Sequence, residues 1–395
     1  MSWETVRLGD IADFSNGINF DKSAYANGVL LIGVSNFGNR FYPDYFELSQ
    51  VKEDVVRQSD YLQDGDILFV RSNGNKELVG RCMLIKEPPA PVTYSGFCIK
   101  ARLKDTSNYD PVFFTYHFKN IDFRRVMSGT AVGANIQNLS QARLSKYEAR
   151  IPDIETQCRI ADILSAYDNL IENNQKQIKL LEEAAQRLYK EWFVDLRFPG
   201  YEDTPVVDGV PEGWKEQVLS EVADVMMGQS PKSEFYNQDS KGLPFHQGVG
   251  SYGTRFVKDE IYSTSFTRIA KANSVLFSVR APVGRLNVTK NKIVIGRGLA
   301  AINHKAGCQS YLFYLLKERF FKDDIVGNGS IFASISKDEL LGQKFVVPDK
   351  DMILRFNGLV TQIDEKIAGL DGQIELLKEA RGRLLPKLMS GEVEV

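Results

Sequence analysis

Cysteine and histidine are scarce in this sequence. Its 395 residues include four cysteines and three histidines. The cysteines Cys82, Cys98, Cys158 and Cys308 are isolated, without a Cys-x-x-Cys pair or a nearby histidine that would complete a zinc-ligand set. A disulfide framework and a structural zinc site are therefore not expected. We interpret the four thiols as small buried hydrophobic side chains in a reducing compartment.

Long apolar runs are also missing. No stretch approaches the roughly 20 residues that cross a bilayer, and residues 1–4 lack a basic region followed by an apolar one. Hydrophobic residues make up 43% of the chain and charged residues 25%, which indicates a globular protein of two or three domains. We expect a cytoplasmic protein that makes no membrane contact.

Catalytic motifs are absent as well. The chain has no Walker A loop, no Asn-Pro-Pro-Tyr motif and no convincing Ser/His/Asp spacing. The run Gly296–Ala301 fits the G-x-G-x-x-A form of a dinucleotide loop, but no βαβ unit surrounds it, which favours a tight turn after a strand. The Pro-Asp pairs at 152 and 348 suit helix caps better than a nuclease centre. We predict a non-enzymatic chain that binds no cofactor or metal.

What the sequence does contain is a long heptad pattern. From Ile160 onward, apolar positions alternate in steps of four and three for more than four heptads, without an intervening Gly or Pro. The same register returns 196 residues later, which is 28 heptads, so we predict two long helices that bury their seams against each other. The seam residues are Ile160, Leu164, Tyr167, Ile171, Asn174, Ile178, Leu181 and Leu188 in the first helix and Phe356, Val360, Ile363, Ile367, Leu370, Ile374, Leu377 and Leu384 in the second.

Two polar residues interrupt this seam. Asn174 has Leu370 as its counterpart, and we interpret it as a residue that fixes the register, with a frayed or wet layer as the alternative. Arg381 has the small Ala185 as its counterpart, and we expect its charged end to leave the seam.

Two more expectations concern the outside and the end of the helices. The repeated aspartates Asp168 and Asp364 are expected on the outer face. The second helix contains four glycines, and Pro386 is expected to end it after Leu385.

The duplication extends to the residues before each helix. Residues 3–13 (WETVRLGDIAD) align with residues 214–224 (WKEQVLSEVAD), and each copy then reaches a glycine, Gly17 and Gly228. The apolar runs Ile67–Val70, Val275–Val279 and Ile293–Ile295 predict strands. Scaffold positions repeat while loop positions differ, which is typical of two readers of different ligands on one frame.

These patterns predict an α+β protein with an internal pseudo-two-fold duplication. A segment rich in proline, glycine and acidic residues separates the two copies. The predicted parts are a first domain at 1–150, a long helix at 151–196, a linker at 197–213, a second domain at 214–347 and a final long helix at 348–395.

Charge is distributed unevenly. The net charge is −2, but residues 241–322 contain fourteen Lys or Arg against three acids, and residues 67–104 contain seven against two. Neutralising roughly six to ten phosphates is enough for strongly salt-dependent DNA binding, so we predict nucleic-acid contact, with a solvated charged face as the alternative. The candidate contact residues, at predicted strand-to-loop edges or in a Gly-rich loop, are Arg71, Asn73, Lys76, Arg81, His246, Gln247, Tyr252, Arg255, Arg280, Arg285 and Arg297.

The order of domain, helix, domain and helix resembles the specificity subunits of type I restriction-modification systems. The likeness covers nearly the whole chain. It is carried by the openings at 3–13 and 214–224, the run Gln157–Leu164 with Asp168, the helix end Lys190–Phe193 and the closing run Arg383–Gly391.

The resemblance implies a non-catalytic reader of double-stranded DNA. In this family two target-recognition domains each bind one half of a split, asymmetric site, while two antiparallel helices in a coiled coil hold them apart. Such a subunit recruits two adenine methyltransferase subunits, which bring S-adenosylmethionine, and two restriction subunits that use ATP and Mg²⁺.

Two rivals from other classes remain open at this point. One is a coiled-coil adaptor whose two domains bind ligands other than DNA; salt-insensitive binding would favour it. The other is an unrecognised nuclease or methyltransferase, which turnover by the purified chain alone would support.

The first testable prediction concerns the helices as a spacer. Residues 155–193, if helical throughout, span about 58 Å at roughly 1.5 Å per residue, whereas one turn of DNA is roughly 34–36 Å. Inserting or deleting helix residues is expected to change the number of base pairs between the two half-sites, measured by mapping the recognised site. An unchanged spacer would contradict the prediction.

Overall fold

The computed structural model describes residues 3–38, 40–72, 78–128, 138–320 and 334–395. The chain divides into two compact units. Unit 1 contains Met1–Gln175 and Gly372–Val395, and unit 2 contains Lys176–Asp371. The five-part division proposed from the sequence stays a prediction. Within the described ranges, no helix has the length and apolar character needed to cross a membrane.

The globular part of unit 1 is built around a four-stranded antiparallel sheet. The described strands of this globular part are β1 (Trp3–Arg7), β2 (Ala12–Asn16), β3 (Tyr25–Ile32), β4 (Ser49–Val51), β5 (Ile67–Val70), β6 (Cys82–Leu84), β7 (Val92–Tyr94), β8 (Cys98–Leu103) and β9 (Glu148–Pro152). Its helices are α1 (Leu8–Ile11), α2 (Pro111–Lys119), α3 (Ile121–Ser128) and α4 (Gln141–Ser145). The main sheet has the order β2-β8-β5-β6, a smaller sheet has the order β4-β3-β7, and β1 pairs with β9.

Helix α5 (Ile154–Phe193) follows β9 and is one of the two long helices that the heptad pattern predicts. Asp153 caps its start, because the backbone N–H of Thr156 donates to the Asp153 carboxylate over 2.9 Å. That hydrogen bond lowers the pKa of Asp153. The capping interpretation of this Pro-Asp pair is therefore confirmed.

Unit 2 repeats the arrangement with thirteen strands among its described residues. They are β10 (Val206–Val207), β11 (Val210–Pro211), β12 (Lys215–Val218), β13 (Ala223–Met227), β14 (Tyr236–Asn237), β15 (Leu243–His246), β16 (Tyr262–Ser263), β17 (Ile269–Ala270), β18 (Val275–Ser278), β19 (Leu286–Val288), β20 (Ile293–Ile295), β21 (Leu299–His304) and β22 (Lys344–Val347), with helices α6 (Leu219–Val222), α7 (Gln309–Phe320) and α8 (Lys337–Leu341). The main sheet has the order β13-β21-β18-β19, a second sheet has the order β14-β16-β15-β20-β17, and β12 pairs with β22.

The second long helix, α9 (Lys350–Ser390), begins at an equivalent cap, where Met352 N–H donates to Asp349 over 2.9 Å. The expectation that Pro386 ends this helix is wrong, since the helix continues to Ser390. Proline removes one helical hydrogen bond. The next turn nevertheless buries Leu388 and Met389 in the core of unit 1, and this burial offsets the loss.

The main sheets of the two units are packed in the same way. In β5, Ile67 and Phe69 face the apolar cluster that contains α2, whereas Leu68 and Val70 face the cluster of the smaller sheet. Strand β18 alternates likewise, with Val275 and Phe277 against α7 and Leu276 against the second sheet. Because both faces are covered, these strands are apolar throughout, which explains why they were recognisable as strands in the sequence.

Within each unit the two helix segments run antiparallel and bury the predicted seam. In unit 1, Asn174 donates to the Gln373 side chain over 3.2 Å. In unit 2 the rings of Tyr189 and Phe356 lie 5.7 Å apart. All sixteen predicted seam residues are buried or partly buried. Asn174 is among the buried ones, and its amide bond favours the register interpretation.

One cysteine departs from expectation. Cys82, Cys98 and Cys308 are buried as predicted, but Cys158 is exposed. It lies on the first turns of α5, one position after the buried Gln157, whose amide donates to the carbonyls of Asn108 and Pro152 and accepts from Asp110 N–H. Gln157 therefore fastens the helix to its domain and leaves its neighbour facing solvent.

The end of α9 supports a second prediction. Leu388→Ala removes a side chain that is 1% exposed in the core of unit 1, and we expect a loss of about 2–5 kcal/mol in the free energy of unfolding. Leu170→Ala, in the same unit at a side chain that is 51% exposed, is the control and should change little. Urea unfolding measures both, and equal effects would show that the turn after Pro386 does not stabilise the unit.

Candidate nucleic-acid interface

In unit 1 a turn closes one end of the main sheet. Residues 95–97 join β7 to β8, and the backbone N–H of Arg71 donates to the Phe97 carbonyl over 2.8 Å. Gly17 lies against this turn so closely that a Cβ atom there would be 2.2 Å from the Tyr94 carbonyl oxygen. The repeated glycine is therefore required by close backbone approach. Phe97 is 62% exposed at the turn.

Unit 2 has the same arrangement with different side chains. Residues 296–298 join β20 to β21, Val279 N–H donates to the Gly298 carbonyl over 2.9 Å, and a Cβ at Gly228 would be 2.2 Å from the Gly296 carbonyl oxygen. Arg297 is exposed at the tip. A strand follows the turn, as the tight-turn interpretation of Gly296–Ala301 requires. We call residues 16–19, 71–72 and 95–97 of unit 1, and residues 228–230, 279–280 and 296–298 of unit 2, the strand-end clusters.

Five predicted contact residues lie at this end of the main sheets. In unit 1, Arg71 follows Val70, the last residue of β5, and the backbone carbonyl of Arg81 accepts from Val70 N–H. Both arginines are partly exposed. The Arg71 guanidinium donates to the Gly96 carbonyl over 3.2 Å, and that of Arg81 to the Gly38 carbonyl over 3.0 Å. Asn73 and Lys76 lie outside the described residues.

In unit 2 the pairing of β18 with β19 and β21 brings three arginines to one sheet end. Arg280 and Arg297 are exposed, and Arg285 is partly exposed. The backbone carbonyl of Arg285 accepts from Ser278 N–H over 2.9 Å, and Arg297 N–H donates to the Ser230 hydroxyl over 3.2 Å. Guanidinium groups so placed suit phosphate oxygens and guanine edges.

The two arginines that follow β5 and β18 are not structural equivalents. Arg71 and Val279 make the same backbone contact with the turn, so the counterpart of Arg280 is Ser72. Ser72 and Arg280 also form matching isolated bridges, with Asn138 and Ser334. Successive side chains on a strand point to opposite sides, so the two units present arginine in different directions.

Of the four residues predicted from the Gly-rich loop, only Gln247 is exposed. It reaches the cluster of unit 2, since its carbonyl accepts from Gly298 N–H over 3.1 Å. His246 is 1% exposed and Arg255 is 4% exposed. Tyr252 packs on an apolar cluster, and burial raises the pKa of its hydroxyl. The His246 and Arg255 side chains are therefore buried within the folded loop, and Tyr252 is partly exposed.

His246 also belongs to a grouping that sequence spacing did not reveal. Its Nδ1 lies 2.8 Å from the Ser251 hydroxyl and its Nε2 lies 2.9 Å from Asp259 Oδ1. The imidazole is completely buried, and the Ser251 hydroxyl also donates to the Gly248 carbonyl over 3.2 Å. The three side chains thus close the loop on itself. In the part of the chain that the structure describes, no three His, Cys, Asp or Glu residues gather as a metal site.

Arg255 ties this loop to the long helix. Its guanidinium donates to Asp364 Oδ1 over 2.7 Å, and its Cζ lies 3.4 Å from the centre of the Phe313 ring. Burial raises the pKa of Asp364. The expectation that Asp364 lies on the outer face is therefore wrong.

The same correction holds for Asp168 in unit 1. Its carboxylate accepts from the Tyr116 hydroxyl over 2.6 Å and pairs with the Arg381 guanidinium. Arg381 leaves the seam, as expected, and meets this acid. Burial and Asp168 raise the pKa of Tyr116. The repeated aspartate thus fastens each globular part to its helix, through different partners in the two units.

Comparison with known proteins shows what the chain is similar to. The family model described as "Type I restriction modification DNA specificity domain" matches residues 1–183 and 211–371. The chain is 27% identical to the putative type I restriction enzyme MjaX specificity subunit of Methanocaldococcus jannaschii, covering 100% of this chain and 94% of that protein. It is 24% identical to the type I restriction enzyme HindI specificity subunit of Haemophilus influenzae, covering 99% of each.

A solved structure shares the fold. The S subunit of a type I restriction-modification system from M. genitalium aligns with a TM-score of 0.59 at 16% identity, covering 98% of this chain and 96% of that one. The α+β architecture with long helices, predicted from the sequence, is confirmed.

The buried ion pair supports a third prediction. Asp364→Asn removes the carboxylate to which the buried Arg255 guanidinium donates, and we expect it to lower the stability of unit 2 by about 3–5 kcal/mol. The control is Asp371→Asn on the same helix, which breaks a more exposed pair with Lys290 and should cost roughly 0–1 kcal/mol. Urea unfolding followed by tryptophan fluorescence compares them. Equal shifts of the midpoint would contradict a role for the buried pair.

Proposed function

The chain belongs to the type I restriction-modification DNA specificity family, and on this premise we propose that it is the subunit that selects the DNA sequence for a type I restriction-modification complex. Each unit would bind one half of a bipartite, asymmetric target through its strand-end cluster. The family match leaves the adaptor hypothesis without support.

One observation carries the half-site proposal. The main sheets have the same strand order and the same turn contacts, yet the side chains at the turn differ: Phe97 and the Gly96-bound Arg71 in unit 1, and Arg297 and Arg280 in unit 2. Two equal frames that present unequal side chains would read two different short sequences. This matches an asymmetric target.

The charge on the clusters supports DNA as the ligand. Arg280, Arg285 and Arg297 lie at one sheet end, with the exposed amides of Gln229 and Gln247 beside them. Arginine and glutamine supply the donors and acceptors that distinguish bases in the major groove, and arginine also binds phosphate. Asn16 and Asn19 supply exposed amides in unit 1.

The chemistry would be done by partners. In this proposal the chain is not an enzyme and binds no cofactor. It recruits two adenine methyltransferase subunits, which use S-adenosylmethionine, and two restriction subunits, which use ATP and Mg²⁺. The groups that sequence reasoning singled out as possible chemistry, the Pro-Asp pairs and the Gly296–Ala301 run, serve as caps and a turn.

The fourth prediction tests the interface at two arginines. Arg280→Ala and Arg297→Ala are each expected to weaken binding of the assembled complex to its target by about 1–3 kcal/mol if they contact bases. Methylome sequencing of a host that carries each variant should show a relaxed sequence preference in one half-site and an unchanged preference in the other. A residue that binds only phosphate would instead weaken all sequences and reduce the salt dependence by about one ion.

Matched controls lie at the opposite ends of the same strands. Lys271 precedes β18 and Lys305 follows β21, and both are exposed. Lys271→Ala and Lys305→Ala remove the same charge far from the cluster and should leave affinity and methylation unchanged. If the lysine variants lose as much as the arginine variants, the strand-end clusters are not the reading surface.

A further inference from the structure

The two strand-end clusters share one backbone frame, so their residues can be matched position by position. The N–H groups of Gly17 and Gly228 donate to the carbonyls of the first residues of β8 and β21, over 3.3 Å and 2.9 Å. The next residues, Ile18 and Gln229, donate to the carbonyls of the last residues of β7 and β20, each over 2.9 Å. These anchors pair Asn19 with Ser230, Gly96 with Arg297 and Phe97 with Gly298.

The turn of unit 1 has an amide where the turn of unit 2 has a guanidinium. A Cβ atom on Gly96 would lie 2.2 Å from Asn19 Oδ1, so the exposed Asn19 amide occupies the space in which a side chain at position 96 would begin. In unit 2 the smaller Ser230 stands at the position of Asn19, and its hydroxyl accepts from Arg297 N–H over 3.2 Å. This exchange leaves room for the exposed Arg297 side chain.

The Phe97 ring has no counterpart in unit 2. Phe97 is 62% exposed, and its carbonyl accepts from the N–H groups of Arg71 and Ser72 over 2.8 Å and 3.4 Å, so the ring stands on a fixed backbone. A Cβ atom on Gly298 would lie 2.4 Å from the Gln247 carbonyl oxygen, so no side chain fits at that position. The aromatic side chain is therefore particular to the turn of unit 1.

The residues after β5 and β18 add to this contrast. Ser72, with a short hydroxyl side chain, is the counterpart of the exposed Arg280. The Arg71 guanidinium donates to the Gly96 carbonyl over 3.2 Å and so holds its own turn. At the matched positions, both guanidinium groups belong to unit 2.

These side chains favour different bases in the major groove. A phenyl ring has no hydrogen-bonding group, and the base feature that suits it is the C5-methyl group of thymine. An asparagine amide can bind N6 and N7 of adenine, whereas a guanidinium can bind O6 and N7 of guanine. The turn of unit 1 therefore suits A·T pairs, and the turn of unit 2 suits G·C pairs.

We propose that the two half-sites differ in base class at the positions that face the turns. The half-site of unit 1 contains a thymine whose methyl group contacts Phe97 and an adenine that Asn19 binds. The half-site of unit 2 contains guanines that Arg280 and Arg297 bind. The proposal rests on the proposed function, because it requires that each strand-end cluster binds one half-site.

The experiment changes single atoms of the DNA. The full chain is purified with its methyltransferase subunits, and methylome sequencing of the host gives the target. Binding is then measured on duplexes in which one thymine is replaced by uracil, which lacks only the methyl group, or one guanine by deazaguanine, in which carbon replaces N7. We expect one uracil in one half-site to weaken binding about fourfold, the effect of burying one methyl group. At least one deazaguanine in the other half-site should weaken it about fivefold.

Variants assign these effects to side chains. Phe97→Ala should abolish the difference between thymine and uracil, because the ring that contacts the methyl group is removed. Phe97→Leu keeps an apolar side chain and should retain part of the difference. Arg280→Ala and Arg297→Ala should each abolish the effect of one deazaguanine. Thermal unfolding should be unchanged, because all three side chains are exposed.

The control variant is Phe46→Ala in the same unit. Phe46 is 99% exposed, and the hydroxyl of its neighbour Tyr45 donates to the Lys86 carbonyl over 3.0 Å, at the end of β6 opposite to Arg81. This variant should keep the full difference between thymine and uracil. If it loses that difference as Phe97→Ala does, the effect does not come from contact with the methyl group, and the inference is overturned.

The outcomes separate this inference from the function beneath it. If methylation at no split motif depends on the chain, the proposed function and the inference fall together. If the complex binds its motif and Phe97→Ala weakens binding, but uracil has no effect at any position, the ring contacts DNA in another way and the inference alone is wrong. The inference is also wrong if the half-site that Phe97→Ala relaxes contains no thymine.

Discussion

An apolar seam on a long helix must be covered, and this requirement decides how the chain is partitioned. Each compact unit takes one segment from α5 and an antiparallel segment from α9, so the residues that complete unit 1 include the last turns of the chain. The duplicated aspartates then fasten each globular part to this helix pair. Residues of both long helices also belong to the apolar cores on which the main sheets pack, so the position of each strand-end cluster depends on this helix pair.

Sequence reasoning recovered what depends on repetition and periodicity. The seam, its 196-residue offset, both caps and three core strands follow from patterns that one chain displays twice, and the family resemblance rested on the same residues. The repetition of Gly17 and Gly228 was also visible in the sequence. The reason why glycine is required there is visible only in the structure, where a Cβ atom would lie too close to a backbone carbonyl oxygen.

What it missed depends on contacts between distant residues. Arg255 lies in a Gly-rich polar loop, and such a sequence predicts a surface position. Its partner Asp364 is more than a hundred residues away, and the heptad position of Asp364 alone predicted the outer face of the helix. The contact of His246 with Asp259 spans only 13 residues, but it depends on how the loop between them folds, which the sequence pattern does not show. Proline usually ends a helix, but the burial of Leu388 in the core stabilises a further turn after Pro386. The one-residue shift between Arg71 and Arg280 appears only in the pairing of the strands.

The strand-end turns are attached through main-chain atoms. The contacts of Arg71 with Phe97 and of Val279 with Gly298 run from backbone N–H to backbone carbonyl, so they do not depend on which side chains the turn carries. The exposed residues of each turn can therefore be replaced one at a time without refolding the sheet, provided that Gly17 and Gly228 are kept. On the proposed function, such an exchange would change the DNA sequence that a unit reads while its sheet stays the same.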